Sequence, residues 1–239
     1  MPLYLGNKQN VLFIHIPKTG GTTVENWLYS TGKFKQILFS EHILEDTLVT
    51  GQHFGYESLK QLIGDIDNSD LLRFAIVRNP FERIISEFFY RDKIGDLKLG
   101  GSPEKYFSAW VSDILKSYLE KKSILDNHLR PQSYFVSQDV KVFKFEDGIE
   151  DAIFSIANNL GIDVEERIER KKVGTKRSVY WSKEAINLVC TIYHDDFTSF
   201  GYQPSPINNT PTLSNINSYL IKLEYFFIKL KRNILRKLR

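Results

Sequence analysis

A lysine followed by a pair of glycines lies near the start of the chain, directly after a run of apolar residues. The apolar run Val11–Ile14 predicts a buried strand, and the residues from about Thr22 predict a helix. A turn between a strand and a helix leaves backbone N–H groups unpaired at the positive end of the helix dipole, an arrangement that binds phosphate. Glycines let a ligand approach the backbone closely, and the lysine adds a full positive charge. The stretch therefore predicts a phosphate-binding loop. Its members are Lys18, Thr19, Gly20, Gly21, Thr22 and Thr23.

A histidine, His53, lies between Gly51 and Gly55 and beside aromatic residues. Such a segment can present an imidazole over a cleft, and histidine is the usual choice for taking a proton from a hydroxyl during group transfer. We therefore expect His53 to act as a general base. A surface histidine, or one satisfied within the core, is the alternative interpretation. His42 lies among acidic residues without flanking glycines and is the weaker candidate.

A second anion-binding pair follows the apolar run Leu71–Val77, which predicts another buried strand. Pro80 suits the first turn of a helix, with Asn79 as its N-cap. Arg78 stands at the carboxyl end of the strand, and Ser86 lies two turns into the helix. Together they can bind one phosphate, the arginine through its charged fork and the serine through its hydroxyl.

The order of residues in both motifs resembles one enzyme family. In the common nucleotide loop the lysine follows the glycines, whereas here Lys18 precedes them, so an ATP or GTP loop fits poorly. Pro-Lys-Thr-Gly-Gly-Thr-Thr after a strand resembles the 5′-phosphosulfate loop of sulfotransferases that use 3′-phosphoadenosine 5′-phosphosulfate (PAPS). Arg-x-Pro-x-x-Arg followed by serine, which begins at Arg78, resembles their 3′-phosphate site. The resemblance covers about residues 9 to 203. It implies an α/β, P-loop-like three-layer fold with a central parallel sheet flanked by helices.

The resemblance also implies an activity. The chain would transfer a sulfuryl group from PAPS to a hydroxyl or amine of an acceptor, a saccharide or glycolipid by family analogy. His53 would be the base, Lys18 would stabilise the leaving phosphate, and no metal would be needed. Two alternatives remain open: an NTP-dependent kinase on the same fold, and a non-enzymatic, membrane-associated binding module.

Two further segments carry polar residues that the family places near the cleft. His128, Arg130 and Gln132 surround a proline-fixed turn and are expected to contact the acceptor or the cofactor, although a solvated turn is the alternative. Lys176 and Arg177 lie in a late basic loop of the kind that closes over the adenosine and 3′-phosphate, although an exposed loop is equally compatible.

Composition limits the classes of function and the cellular location that we expect. A chain of 239 residues suits one α/β domain, and a formal charge of +3 is too small to indicate nucleic-acid binding. The one cysteine, Cys190, excludes an internal disulfide and a Cys-based zinc site, and its place on an apolar helix face predicts a buried structural thiol. The first residues contain no long apolar run, so we expect a cytoplasmic protein without signal peptide or anchor.

The remaining pattern divides the chain into a domain (1–203), a linker (204–212) and a tail (213–239). Within the domain we expect helices from Ser102 to about Glu120, over 149–160 and from Ser182 to about Phe197, and an irregular stretch over 34–50. The tail predicts a basic amphipathic helix, which can lie on an anionic bilayer, dock on its own domain, or pair with a second subunit.

Overall fold

The computed structural model describes residues 2–37, 49–63, 71–99, 101–164, 178–206 and 212–237. Within these residues a five-stranded sheet forms the centre of the fold, in the spatial order β3-β1-β2-β4-β5. The strands are β1 (Leu3–Gly6), β2 (Asn10–Ile14), β3 (Phe34–Ile37), β4 (Leu71–Val77) and β5 (Lys141–Lys144).

The sheet is mixed: one part of it is parallel, as expected, and one edge is antiparallel. Strands β2, β4 and β5 are parallel neighbours, whereas β1 is antiparallel to both β2 and β3. The connection between β1 and β2 is three residues long, which permits only an antiparallel return. Residues 34–37, expected to be irregular, form β3 by pairing with β1. The four residues of β3 are too few to show a readable alternation.

Eight helices of the described chain surround the sheet. They are α1 (Gly21–Ser30), α2 (Tyr56–Ile63), α3 (Pro80–Lys93), α4 (Phe107–Glu120), α5 (Ile149–Leu160), α6 (Lys183–Ile192), α7 (His194–Phe200) and α8 (Asn215–Lys237). Helices α1 and α5 pack on one face of the sheet, against Phe13 and Phe74. Helix α2 packs on the other face, against Leu12 and Ala75. Helices α3, α4, α6, α7 and α8 share a separate aromatic-rich core.

The predicted helix ends are confirmed where side chains cap them. The Asn79 side chain accepts hydrogen bonds from the backbone N–H groups of Phe81 and Glu82, and α3 begins at Pro80 as predicted. Ser182 likewise accepts from the Ala185 N–H at the start of α6. The boundary at Ser102 is wrong, because its side chain forms no cap, residues 103–106 form a 3-10 turn, and α4 begins only at Phe107.

Helix α6 ends earlier than predicted. The helical conformation is interrupted at Tyr193, and α7 begins at the next residue. The Tyr193 side chain is buried, and its hydroxyl donates to the Leu129 carbonyl at 3.1 Å. This contact anchors the break beside the segment that carries His128.

The tail helix α8 docks on its own domain, one of the three arrangements expected for it. Tyr225 is buried against the helical core, and the Lys229 ammonium lies 2.6 Å from the Asp113 carboxylate of α4. The Arg232 guanidinium donates to the Asp96 carbonyl at 2.8 Å. No helix in the described part of the chain is long and apolar enough to span a membrane.

Candidate active site

The lysine loop connects β2 to α1 at the carboxyl edge of the sheet. Lys18 itself has a φ of 69°, and Gly20 has a φ of 88°. Gly20 is fixed by packing as well, since a Cβ there would lie 2.4 Å from Ile149 Cδ1. The Thr19 hydroxyl donates to the Ile16 carbonyl at 2.9 Å and tightens the turn. The Thr23 N–H donates to the Gly20 carbonyl at 3.0 Å, but the N-cap gives no side-chain hydrogen bond, so the N–H groups of Gly21 and Thr22 can bind an anion.

The Lys18 ammonium lies 3.8 Å from the centre of the Tyr90 ring. We find no hydrogen-bond acceptor for it within the described residues. Burial lowers the pKa of Lys18 to about 8, and the cations Arg78 and Arg91 act in the same direction. The loop therefore contains a poorly hydrated cation with open donor sites, which favours an incoming anion.

The predicted base, His53, is buried and bonded to a carboxylate. Its Nδ1 lies 2.7 Å from Asp126 Oδ2, and Asp126 also accepts hydrogen bonds from the Thr50 N–H and hydroxyl. Burial lowers the pKa of His53 to about 4, against the opposing effect of Asp126. Burial opposes ionisation of Asp126, but the hydrogen bonds from His53 and Thr50 outweigh it and lower its pKa to about 2. At neutral pH the pair is thus a neutral imidazole with a proton on Nδ1 and a lone pair on Nε2.

Asp126 belongs to a turn with an unusual backbone conformation. Three consecutive non-glycine residues, Leu125, Asp126 and Asn127, have φ values of 54°, 57° and 61°. The left-handed conformation costs a non-glycine residue of order 1 kcal/mol or more, and it persists only where surrounding contacts stabilise it. Here Asp126 bonds the His53 ring, and the Asn127 amide donates to the His53 carbonyl at 2.9 Å. The left-handed turn thus holds His53 at both its ring and its backbone.

Two further histidines flank His53, each with its own carboxylate. His15 Nδ1 lies 2.6 Å from Glu25, and His128 Nδ1 lies 2.8 Å from Glu87. The His53 ring centre is 5.7 Å from that of His15 and 4.7 Å from that of His128. Each of the three imidazoles therefore has Nδ1 bonded to an acid, which orients its ring in the row.

Tyr90 connects this row to the lysine loop. Its ring stacks on His128 at 6.0 Å and lies under the Lys18 ammonium. The loop cation and the imidazoles therefore line one continuous surface, through the contacts Lys18–Tyr90–His128–His53.

The same cluster includes the one group in the described chain that could hold a metal ion. Ligand atoms of His53, Asp126 and His128 lie within 4.8 Å of one another. However, both histidines use Nδ1 to bond a carboxylate, and Asp126 already accepts from three donors. The expectation that no metal is needed stays a prediction.

Arg78 lies directly after β4 and reaches the lysine loop. Its guanidinium packs 4.4 Å from the centre of the Phe145 ring, and Nη1 donates to the Lys18 carbonyl at 3.4 Å. Its Nε is buried and has no hydrogen-bond partner among the described residues, so a ligand can satisfy this donor. Ser86 is half-buried on α3, and we find no partner for its hydroxyl in the described part of the chain.

Gln132 is fully buried and bonds Arg78 rather than presenting a free group. The Gln132 side chain accepts from the Arg78 N–H and donates to the Arg78 carbonyl, both at 2.8 Å. Asp196 in turn accepts from the Gln132 N–H at 2.8 Å. Gln132 therefore positions Arg78. Arg130, by contrast, is half-buried with its guanidinium 4.3 Å from the centre of the Tyr134 ring.

Arg83 is the central residue that the sequence did not assign. It is 3% exposed, and its guanidinium donates to the carbonyls of Pro17, His128 and Arg130 at 2.7–3.0 Å. It thus fastens the lysine loop to the His128 segment. A sequence signal existed, because Arg83, Glu87 and Arg91 recur every four residues on a helix whose neighbouring positions are apolar. Lys176, Arg177 and His42 lie outside the described residues.

The comparison with known proteins identifies the family. A sequence model described as the sulfotransferase family matches residues 3–203. The chain therefore belongs to the sulfotransferase family. No curated protein and no solved structure was found to match it.

Proposed function

We propose that this sulfotransferase uses PAPS as its donor and transfers the sulfuryl group to a hydroxyl or amine of a saccharide or glycolipid. One observation carries the proposal: an acid-oriented imidazole lines the same surface as an ammonium that has no hydrogen-bond acceptor among the described residues. Lys18 contacts Tyr90, and Tyr90 stacks on the histidine row that contains His53. This combination supplies a cation for a leaving anion and an acceptor for a proton, the two needs of group transfer to a hydroxyl.

The residues present fit a donor with two anionic ends. The lysine loop offers Lys18 and the uncapped N–H groups of α1 to one anion. The Arg78 Nε, which has no partner in the described part of the chain, and the Ser86 hydroxyl suit a second anion, as expected for the 3′-phosphate. The strand–loop–helix unit of β2 and α1 supports describing the fold as P-loop-like. When bound, PAPS supplies an activated sulfuryl group whose transfer leaves a phosphate anion.

His53 is proposed to take the proton of the acceptor. The protonated Nδ1 of His53 donates a hydrogen bond to Asp126, so the Nε2 lone pair is the free basic site. The low pKa of His53 keeps this site unprotonated at neutral pH. When Nε2 takes the proton, the resulting imidazolium lies against the ionised Asp126, which stabilises it. Lys18 stabilises negative charge at the loop.

The acceptor is proposed to lie over the two half-exposed aromatic rings of this surface. Tyr90 and Tyr134 are each 36% exposed, beside His128 and Arg130 respectively. An aromatic face next to polar donors suits a ring that is apolar on one face and hydroxylated at its edge. This arrangement supports a saccharide over a compact inorganic acceptor.

Calorimetry with 3′-phosphoadenosine 5′-phosphate, the product nucleotide, tests the donor. We expect it to bind at least about ten-fold more tightly than ADP with magnesium, since charge-assisted hydrogen bonds contribute about 1.5–3 kcal/mol. Preference for ADP with magnesium would contradict the proposal and indicate a kinase.

Radiolabelled PAPS offered with saccharide, glycolipid and phenol acceptors tests the reaction. His53→Ala should bind the product nucleotide normally and lose about 10²–10⁴-fold in transfer rate. The exposed His194 provides the matched control, because His194→Ala should transfer at the rate of the unmodified chain.

A further inference from the structure

The outer face of α8 carries a row of exposed apolar side chains. Its inner face docks on the domain through Ile221, Tyr225 and Ile228. On the opposite side, every member of a second apolar row is solvent-exposed, and we call this row the heptad face. It comprises Ile216, Leu220, Leu223, Phe227, Leu230 and Ile234.

The spacing of the heptad face differs from that of an ordinary amphipathic helix. Its members follow one another by alternating steps of four and three residues, without exception from Ile216 to Ile234. This 3.5-residue period is the a/d pattern of a coiled coil, with Leu220 and Phe227 at a positions and Leu223 and Leu230 at d positions. A helix that needed only to dock on its own domain would have no use for a second apolar row facing away from it.

We propose that α8 pairs through its heptad face with α8 of a second copy of this chain, forming a two-fold symmetric dimer. The charges beside the row indicate an antiparallel pair. Glu224 and Lys231 occupy successive e positions, and in an antiparallel pair the e positions of the two helices face each other. Lys231 then lies against the partner's Glu224, a half-exposed carboxylate that also bonds Lys105 and Tyr106 of its own domain, and symmetry makes this contact twice. A parallel pair would set these charges beside Tyr219 and Phe226 instead.

Three cations of α8 argue against a lipid surface as the occupant. An in-plane membrane helix uses free lysines and arginines beside its apolar face. On α8, Lys222 bonds Glu184, Lys229 bonds Asp113, and Arg232 bonds backbone carbonyls of its own domain. These cations lie on the inner side, away from the heptad face.

Docking on the domain also lowers the entropy cost of pairing, because α8 is already ordered. An isolated helix must be ordered before it can pair, whereas α8, about 35 Å long, is already held by contacts of its inner face between Ile221 and Arg232. Pairing two ordered helices therefore costs less conformational entropy than assembling a free coiled coil of the same length.

Sedimentation velocity and light scattering on the full chain test the proposal. We expect a concentration-dependent dimer of twice 27.8 kDa. Phe227→Glu should convert it to a monomer that keeps its thermal midpoint. Phe154→Glu is the matched control, since Phe154 is 45% exposed on α5, away from the heptad face, and its replacement should leave the dimer intact.

Three results would overturn the proposal: a monomer at roughly 100 µM, a hundred-fold above a micromolar Kd; a dimer that persists in Phe227→Glu; or vesicle binding by a monomeric chain that Phe227→Glu abolishes. The last result would assign the heptad face to a membrane.

Two variants test the antiparallel orientation. Lys231→Glu should weaken association by about ten-fold at low salt, and the effect should shrink in high salt. In an antiparallel pair, Phe227 at an a position packs against Leu230 at a d position of the partner. In a Cys190→Ser background, we therefore expect a disulfide cross-link only when Phe227→Cys chains are mixed with Leu230→Cys chains. Cross-linking of either variant with itself would indicate a parallel pair and overturn the orientation.

Discussion

Asp126 accepts a hydrogen bond from His53 at 2.7 Å while its own backbone is left-handed, with a φ of 57°. Aspartate tolerates this conformation better than most residues, but a run of three such residues without glycine is costly. The strained turn places one carboxylate on the His53 ring and one amide on the His53 carbonyl. The position of Asp126 is therefore determined by its contact with His53.

Asp126→Asn should reduce the rate of sulfuryl transfer by about 10²–10⁴-fold, comparable to loss of the base itself. The amide can present either its oxygen or its N–H to Nδ1, so the tautomer with a free Nε2 is no longer enforced. Affinity for the product nucleotide should be unchanged. Asp139→Asn, an exposed carboxylate, is the matched control.

An NMR titration of the His53 ring separates this role from a structural one. The unmodified chain should titrate near pH 4, where burial holds His53. Asp126→Asn removes the group that raises this pKa, so the midpoint should move lower still. A midpoint that stays in place, or moves upward, would show that Asp126 does not act on the ring.

Product-nucleotide affinity should decline as the pH rises through about 8. Burial lowers the pKa of Lys18 to that value, so the loop loses its cation in this range and Kd should increase by at most about ten-fold per pH unit. Lys18→Met should bind weakly and without this pH dependence, whereas the exposed control Lys33→Met should keep it. Since folding disfavours the charged form of Lys18, Lys18→Met should also raise the thermal midpoint at pH 7. A pH-independent Kd in the unmodified chain would exclude Lys18 as the anion's partner.

The elements that carry the site could be read from the sequence because their signals are local. A long apolar run ending at Arg78, a proline after Asn79, and a glycine at 161 each determine backbone geometry within a few residues. These predictions agree with β4, α3 and α5. The antiparallel strands β1 and β3 could not be read, because each has only four residues, too few to show a periodicity of its own.

The contacts that orient the site join residues far apart in the chain. Asp126 and His53 are 73 positions apart, and Gln132 and Arg78 are 54 positions apart. Residue type identified His53 as a candidate base and Gln132 as a candidate polar group near the cleft. Only the fold shows that Gln132 is buried against the Arg78 backbone and that Asp126, rather than another acid, orients His53.

Arg78→Ala should reduce discrimination between the product nucleotide and 5′-AMP by about ten- to hundred-fold, the contribution of a charge-assisted contact to phosphate. Its Nε, for which the described residues supply no acceptor, is the donor we assign to the 3′-phosphate. Ser86→Ala should show a smaller effect in the same direction. Arg130→Ala, which removes another half-buried arginine, should leave the ratio of the two Kd values unchanged. Equal loss of affinity for both nucleotides in Arg78→Ala would place this residue elsewhere.

Prolonged treatment with EDTA should leave the transfer rate unchanged, because the Nδ1 atoms of His53 and His128 already bond carboxylates. Elemental analysis of the purified chain should show less than one bound metal per ten chains. A stoichiometric metal whose removal abolishes transfer, and whose return restores it, would assign His53, Asp126 and His128 as its ligands instead.

Arg83→Leu should lower the free energy of unfolding by about 3–5 kcal/mol, the cost of breaking a buried charged network. The substitution leaves the carbonyls of Pro17, His128 and Arg130 without their donor. Arg83→Lys is the informative comparison, because it keeps the charge but cannot reach three carbonyls from one planar fork. If Arg83 fastens the loop to the His128 segment, Arg83→Lys should fold in urea titrations yet lose both nucleotide affinity and transfer rate. Normal activity in a stable Arg83→Lys chain would show that the two segments keep their relative position without this residue.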